Sequence, residues 1–211
     1  DGIYQNQEQI DNADVVQPGA QPGDLIYVDQ NGDGVINFND DSDKKEIGSP
    51  IPDFTFGLNL NATYKNFDVS ANIFSAIGQE IIRNYERLQP YANQQAYVID
   101  RWVGDGSSEG VPRVTSESNR NSEFSDYYVE SGNFVRLRNI QLGYTFDSKF
   151  IKKIKMRSIR VYGSVNNVIT LTRYRGYDPE FGSSGGALSA GVDYGFYPQA
   201  RTFMLGTNFR F

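Results

Sequence analysis

The stretch FTFGLNLNATY, residues 54–64, constrains the fold more than any other part of the chain. Phe54, Phe56, Leu58, Leu60, Ala62 and Tyr64 fall on one face of an extended strand, and Thr55, Gly57, Asn59, Asn61 and Thr63 fall on the other. Such a strand needs an apolar medium on one side and water or polar partners on the other. FDVSANI repeats the pattern with Phe67, Val69, Ala71 and Ile73 against Asp68, Ser70 and Asn72, so Lys65 and Asn66 form a tight hairpin. IQLGYTF sets Ile140, Leu142, Tyr144 and Phe146 against Gln141, Gly143 and Thr145. Immediately before it the phase is opposite, with Val135 and Leu137 against Arg136 and Arg138, and a bulge near Asn139 reconciles the two. SIRVYGSVNNVITLT places Ile159, Val161, Gly163 and Val165 against Arg160, Tyr162, Ser164 and Asn166. The last strand, FMLGTNFRF, has Phe203, Leu205, Phe209 and Phe211 on its apolar face.

The connections between these five strands alternate in length: short at 65–66, long at 77–126, modest at 147–157 and long at 173–199. Barrels that cross an outer membrane connect their strands in this way, with short turns on one side and long loops on the other. The expected fold is all-β: about five antiparallel C-terminal strands of a large transmembrane β-barrel with long extracellular loops. Residues 1–52 read as an extracellular loop and residues 53–211 as barrel strands and their loops. Five strands cannot enclose a lumen, so the expectation is a fragment of a larger chain, with Phe211 ending its last strand. A soluble β-sandwich also alternates, but its connections are short, and the aromatics near these strand ends suit a membrane interface.

Neither Cys nor His occurs, which removes thiol nucleophiles, His-based acid–base triads and common zinc sites. No enzyme is expected. The net charge of −6, with Lys and Arg interleaved among acids, speaks against nucleic acid. The run Lys149, Lys152, Lys153, Lys155 and Arg157 reads as a solvated turn. GSSGGALSAG, 182–191, lacks the Lys-Ser/Thr ending of a phosphate loop and reads as flexible connection. Asp178 and Glu180 in YDPEF are the nearest approach to paired carboxylates, with no partner acid whose spacing can be judged. Between 81 and 102, Tyr85, Tyr91, Tyr97 and Trp102 either pack the loop or stack on sugars, and packing is the simpler expectation.

One motif carries chemistry. YVDQNGDGVINFNDD, residues 27–41, fits the spacing of an EF-hand-like calcium loop: Asp29, Asn31 and Asp33 at positions one, three and five, Gly34 at the sharp turn, and the Val35 carbonyl at seven. Asn37 stands at nine and Asp40 at twelve, where an EF-hand has Glu. Asp is the shorter acid, so Asp41 or Asp43 is an alternative closing ligand. A polar turn of Asp, Asn and Gly without an ion is the competing reading. No long amphipathic helix follows, so the expected role of calcium is structural.

GDLIYVDQNGDGVINFNDD, IGSPIPDFTFGLNLNATYKNFDVSANIFSAIGQEI, YYVESGNFVRLRNIQLGYTF, VYGSVNNVITLTRYRGYDPEF and YPQARTFMLGTNFRF together resemble the C-terminal region of the SusC/RagA family of TonB-linked outer-membrane proteins, from Pro22 to Phe211. The resemblance implies a large plugged barrel in the cell outer membrane, energised by TonB through an N-terminal part that this chain lacks. It also implies a SusD-like lipoprotein lid as partner, contact with outer-membrane lipid, and an oligosaccharide or oligopeptide substrate. Two other classes remain open at this point: a passive porin or adhesin barrel, and a soluble calcium-stabilised carbohydrate-binding β domain.

Overall fold

A computed structural model describes residues 2–85, 91, 93–146, 151, 156–183, 185–186 and 189–211. The lysines of the 149–157 run, part of the aromatic 81–102 stretch and part of the Gly-rich 182–191 stretch lie outside the described residues. The chain divides into two compact units, one of residues 1–47 with 85–128 and one of residues 48–84 with 129–211.

The second unit holds the five strands read from the alternation. They are β1 (Phe54–Tyr64), β2 (Phe67–Ile77), β5 (Phe134–Thr145), β6 (Ser158–Thr172) and β8 (Thr202–Arg210), and they form one sheet in the order β1-β2-β5-β6-β8. Every neighbouring pair is antiparallel, so the sheet is a simple up-and-down meander. Lys65, in the left-handed region at φ 53°, makes the two-residue turn of the first hairpin, where Tyr64 pairs with Phe67. The expected bulge is present. Asn139 faces Asn72 while Leu137 faces Ile73, which leaves Arg138 as the extra residue on that side of β5. On its other side the register slips over the same residues, and Asn167 at φ 51° takes up the irregularity on β6.

A second sheet, not legible from periodicity, joins β4 (Val129–Ser131), β3 (Glu80–Arg83) and β7 (Val192–Asp193) in that order. Its strands are two to four residues long and are held by pairings distant in sequence, antiparallel between β3 and β4 and parallel between β3 and β7. Ile81 and Arg83 of β3 are buried, and Arg83 pairs with Glu130 at 3.0 Å.

The two faces of the large sheet differ as the alternation requires. Leu142, Val161, Val69 and Phe209 stand exposed on the apolar face. The polar face is tied across strands by side chains: Asn72 donates to Asn59, Asn139 donates to Asn166, and the Arg160 Nε donates to Asp68 Oδ1 at 2.8 Å. The Arg160–Asp68 pair spans the whole width of β5, and it does so by lying over Gly143. A Cβ at that position would sit 2.4 Å from Arg160 Nη2 and 2.5 Å from Asp68 Oδ1. Gly206 plays the same part under the Tyr162 ring. We therefore expect Gly143→Ala to cost ~1–3 kcal/mol in denaturant unfolding of the folded protein. In an Asp68→Asn/Arg160→Met background the same change should cost much less, because nothing then lies across the glycine; an equal cost in both backgrounds would show that the ion pair is not what the glycine accommodates.

Candidate functional site

The first unit is built round buried polar joints that link segments far apart in sequence. Asp24 is 2% exposed. Its Oδ1 accepts from Arg113 Nε at 2.6 Å and from Asn121 Nδ2 at 3.0 Å, and its Oδ2 accepts from the Gln21 amide at 3.0 Å. Asn121 Oδ1 in turn accepts the Leu25 amide, and Gln17 brackets the same segment by donating to the Leu25 carbonyl and accepting the Tyr27 amide. These bonds fix the strand-like stretch that leads into the predicted calcium loop. Trp102 packs flat against Gly23, where a Cβ would lie 2.4 Å from the indole Cε3. That residue of the 81–102 group serves packing.

The loop itself is a chain of side-chain-to-backbone turns. Asp29 Oδ1 accepts the Gly32 amide and Oδ2 the Gly34 amide, both at 2.7 Å. Asn31 Oδ1 accepts the Asp33 amide at 2.8 Å, and Asp33 Oδ1 accepts the Val35 amide at 2.9 Å. The Gly34 amide, foremost among several turned on it, holds the Asp29 carboxyl below the usual carboxylate range. Asp40 is held down likewise, chiefly by the Ser42 hydroxyl, with the Ser42 amide second. Gly32 and Gly34 adopt φ of 78° and 87°, the conformations that the tight turn demands. Ile36 is 3% exposed, and its amide donates to the Val16 carbonyl while the Val16 amide donates to the Gly34 carbonyl.

The structure brings Asp29, Asn31, Asp33 and Val35 together on one tight turn, and Asn37 and Asp40 on the next, where Asn37 Nδ2 donates to Asp40 Oδ2 at 2.6 Å. The residue that joins the two turns is Asp43. Its Oδ1 accepts the Gln30 amide at 3.1 Å and its Oδ2 the Asn37 amide at 2.6 Å. Sequence spacing favours Asp40 as the closing position because it counts to twelve; the hydrogen bonds give the closing contact to Asp43. Among the described residues no three acidic side chains converge on one point suited to a metal ion. A cation here would draw on Asn31 and the Val35 carbonyl as much as on carboxylates, a neutral-rich donor set that suits a hard, weakly held ion such as calcium.

Beside this loop the first unit has a half-open pocket of about 760 Å³. Its floor is Ile3, Leu25 and Ile36, all under 8% exposed, and its wall includes Tyr27 and Phe38, edge to face at 5.1 Å. The Tyr27 hydroxyl donates to the Arg120 carbonyl at 2.7 Å, and burial pushes its ionisation well above the ordinary phenol range.

In the second unit the YDPEF carboxylates are both spoken for. Arg136, 2% exposed at its side chain, reaches Asp178 through Nη2 and Glu180 through Nη1, the latter at 3.1 Å, while Arg138 Nη2 reaches Glu180 Oε1. Arg136 Nε also donates to Thr170 Oγ1 at 2.8 Å. Two carboxylates each locked to a guanidinium are positioned as structural anchors, not as an acid–base pair.

No family model matches the chain. Among individual proteins it is 34% identical, over 218 aligned residues and its full length, to the TonB-dependent receptor P3 of Formosa agariphila. It is 29% identical over 93% of its length to the TonB-dependent receptor SusC of Bacteroides thetaiotaomicron. Its fold superposes on the RagAB peptide importer in the open-open state with a TM-score of 0.70 and 25% identity over 88% of the chain. The chain belongs to the TonB-dependent receptors of the SusC and RagA kind. Its antiparallel sheet is a section of their β-barrel, and its location is the outer membrane. It spans about a fifth of the length of these relatives, 21% of the Formosa receptor and 20% of the RagAB chain.

Proposed function

We propose that this receptor segment supplies wall strands and ordered loops to a TonB-driven importer of oligosaccharides or oligopeptides that works with a SusD-like lipoprotein lid. The observation that carries the reading is the meander itself: one face apolar and exposed, the other polar and cross-tied, in the arrangement of a peptide importer's barrel. Nutrient import across the outer membrane is the common ground of the relatives. The choice of cargo rests on the polar wall, whose Asn, Arg and Asp groups suit a hydrogen-bonding oligomer better than an apolar one. A lid and TonB enter by analogy with SusC and RagAB. A soluble sugar-binding domain would leave Phe54, Phe56, Leu58 and Leu60 in water on an unpaired edge strand, a predicted aggregation site. Deleting the full-length gene should abolish growth on one class of oligomer, and so should deleting the gene of the lid lipoprotein or of TonB. Growth unaffected by loss of TonB would point instead to a passive porin.

The apolar face is the one we assign to lipid. In the full-length receptor, Leu58→Arg should cost ~2–4 kcal/mol of folding stability in bilayers, whereas Asn59→Arg on the opposite face should be nearly silent. Equal sensitivity at the two positions would mean that both faces are packed against protein.

For the loop of residues 29–43 we propose a structural calcium ion held by Asp29, Asn31, Asp33, the Val35 carbonyl and either Asp40 or Asp43, with Asn37 alongside. The motif spacing and the two glycines at positive φ support it. An ion would offset the ordering entropy of a loop that buries little apolar surface. Millimolar calcium should then protect residues 27–43 from proteolysis in the intact receptor, chelator should remove the protection, and Asp33→Ala should abolish it while leaving the barrel's heat-resistant migration unchanged. Identical cleavage with calcium and with chelator would leave the hydrogen-bonded turns as the sole support of the loop.

A further inference from the structure

The cluster of Arg136, Arg138, Asp178 and Glu180 is a contact of an uncommon kind between a barrel wall and the loop above it. It contains two positive and two negative groups and therefore sums to zero. Arg136 is fully buried and Asp178 is 7% exposed. A buried ionic contact like this gains in Coulomb attraction roughly what it loses in desolvation, so opening it into water, where all four groups recover their hydration, changes the free energy little. An apolar contact of equal area has no such compensation on opening.

The stretch bearing the acids is also bracketed by points suited to movement. Tyr177–Phe181, the YDPEF segment, lies between Gly176 and Gly182. On either side the loop is fixed without using the arginines. Tyr174 donates to Asp193 Oδ2 at 2.6 Å, Asp193 Oδ1 accepts the Gly195 amide at 2.8 Å and the Phe196 amide at 3.1 Å, and β7 pairs with β3. The acid-bearing segment therefore has firm pivots and an ionic seat. Among the described residues its other ties are the Gln199 amide, which donates to Asp178 Oδ2 at 3.3 Å, the Phe181 ring, stacked on Phe196 at 5.4 Å, and the buried Pro179.

We propose that Tyr177–Phe181 is a movable strap whose catch is Asp178 and Glu180, seated on Arg136 and Arg138 when closed and released into water when cargo passes. This rests on the import reading above for its purpose, though not for its mechanics. Arg136 and Arg138 are positioning residues: they hold the strap and are not required to touch cargo.

The test uses the full-length receptor in its own outer membrane and two readouts, amide hydrogen exchange of residues 176–183 and import at equal surface abundance. Asp178→Asn leaves Arg136 partly unpaired, so exchange over 176–183 should rise about tenfold or more while β5 and β6 stay protected. The uncharged replacement Arg136→Met/Arg138→Met/Asp178→Leu/Glu180→Leu should keep the strap seated, with exchange at or below the parent's, and should cut import about tenfold. Should that variant fail to insert, Arg136→Gln/Arg138→Gln/Asp178→Asn/Glu180→Gln is read in the same way. Normal import by an uncharged, seated strap would overturn the proposal and leave the cluster as a fixed tie; so would unchanged exchange in Asp178→Asn. A parent receptor that imports none of the oligomers tested would refute the import reading instead, and the exchange result would stand apart from it.

Discussion

The hydrogen-bond ladder of the five-stranded sheet is the constraint on which the rest of the structure depends. In a bilayer no water is present to satisfy a strand's amides and carbonyls, so each must be met by a neighbouring strand. That fixes the register, and register fixes which residues face out, because a slip of one residue would exchange the two faces of a strand. The eleven-residue match of β1 to β2, from Phe54 opposite Ile77 to Tyr64 opposite Phe67, proceeds without interruption. The ladder is irregular at Arg138 of β5 and at Asn167 and Val168 opposite it on β6, and there β5 changes the phase of its hydrophobic alternation in step. Sequence pattern and backbone geometry therefore agree at that irregularity.

The polar face shows what a wall made of strands does with its side chains. Asp68 and Arg160 bridge over Gly143, Asn59 meets Asn72, and Asn139 meets Asn166. Each tie joins neighbouring or next-neighbouring strands, so the groups satisfy one another along the wall. Glycine has a positional meaning in this scheme: Gly143 and Gly206 are where a long side chain from the next strand lies flat across the sheet.

How much of this was legible in the sequence follows from the range of each interaction. Alternation is local, so the strands, the hairpin at Lys65 and the bulge beside Asn139 could be read directly. The strands of the small sheet could not, since Glu80–Arg83 and Val192–Asp193 are too short for a period and pair across more than a hundred residues. Asp24 gives no local sign of being a hub, because Arg113 and Asn121 stand 89 and 97 residues away. In the loop, spacing placed Asp29, Asn31 and Asp33 as calcium ligands with Asp40, Asp41 or Asp43 to close the set, and the structure shows the first three on one tight turn. Asp43 holds both halves because the amides of Gln30 and Asn37 converge on it, a matter of backbone direction that counting cannot supply. Asp178 and Glu180 looked like a loose acid pair, and only the fold shows that the arginines of β5 engage both.

These cases separate two ways of ordering a loop. Residues 29–43 are ordered from within, by carboxylates and amides on the loop's own backbone, with Ile36 as the one buried side chain. The YDPEF segment is ordered from outside, by charges on a strand. The first arrangement opens only by breaking the turns themselves, since its donors and acceptors lie on the loop's own residues, from two apart at Asn31 and Asp33 to thirteen apart at Gln30 and Asp43. The second opens without disturbing either partner's backbone, because the arginines keep their strand pairing and the acids keep theirs with nearby amides, as Asp178 does with Glu180 at 2.9 Å. One arrangement falls in each of the chain's two units.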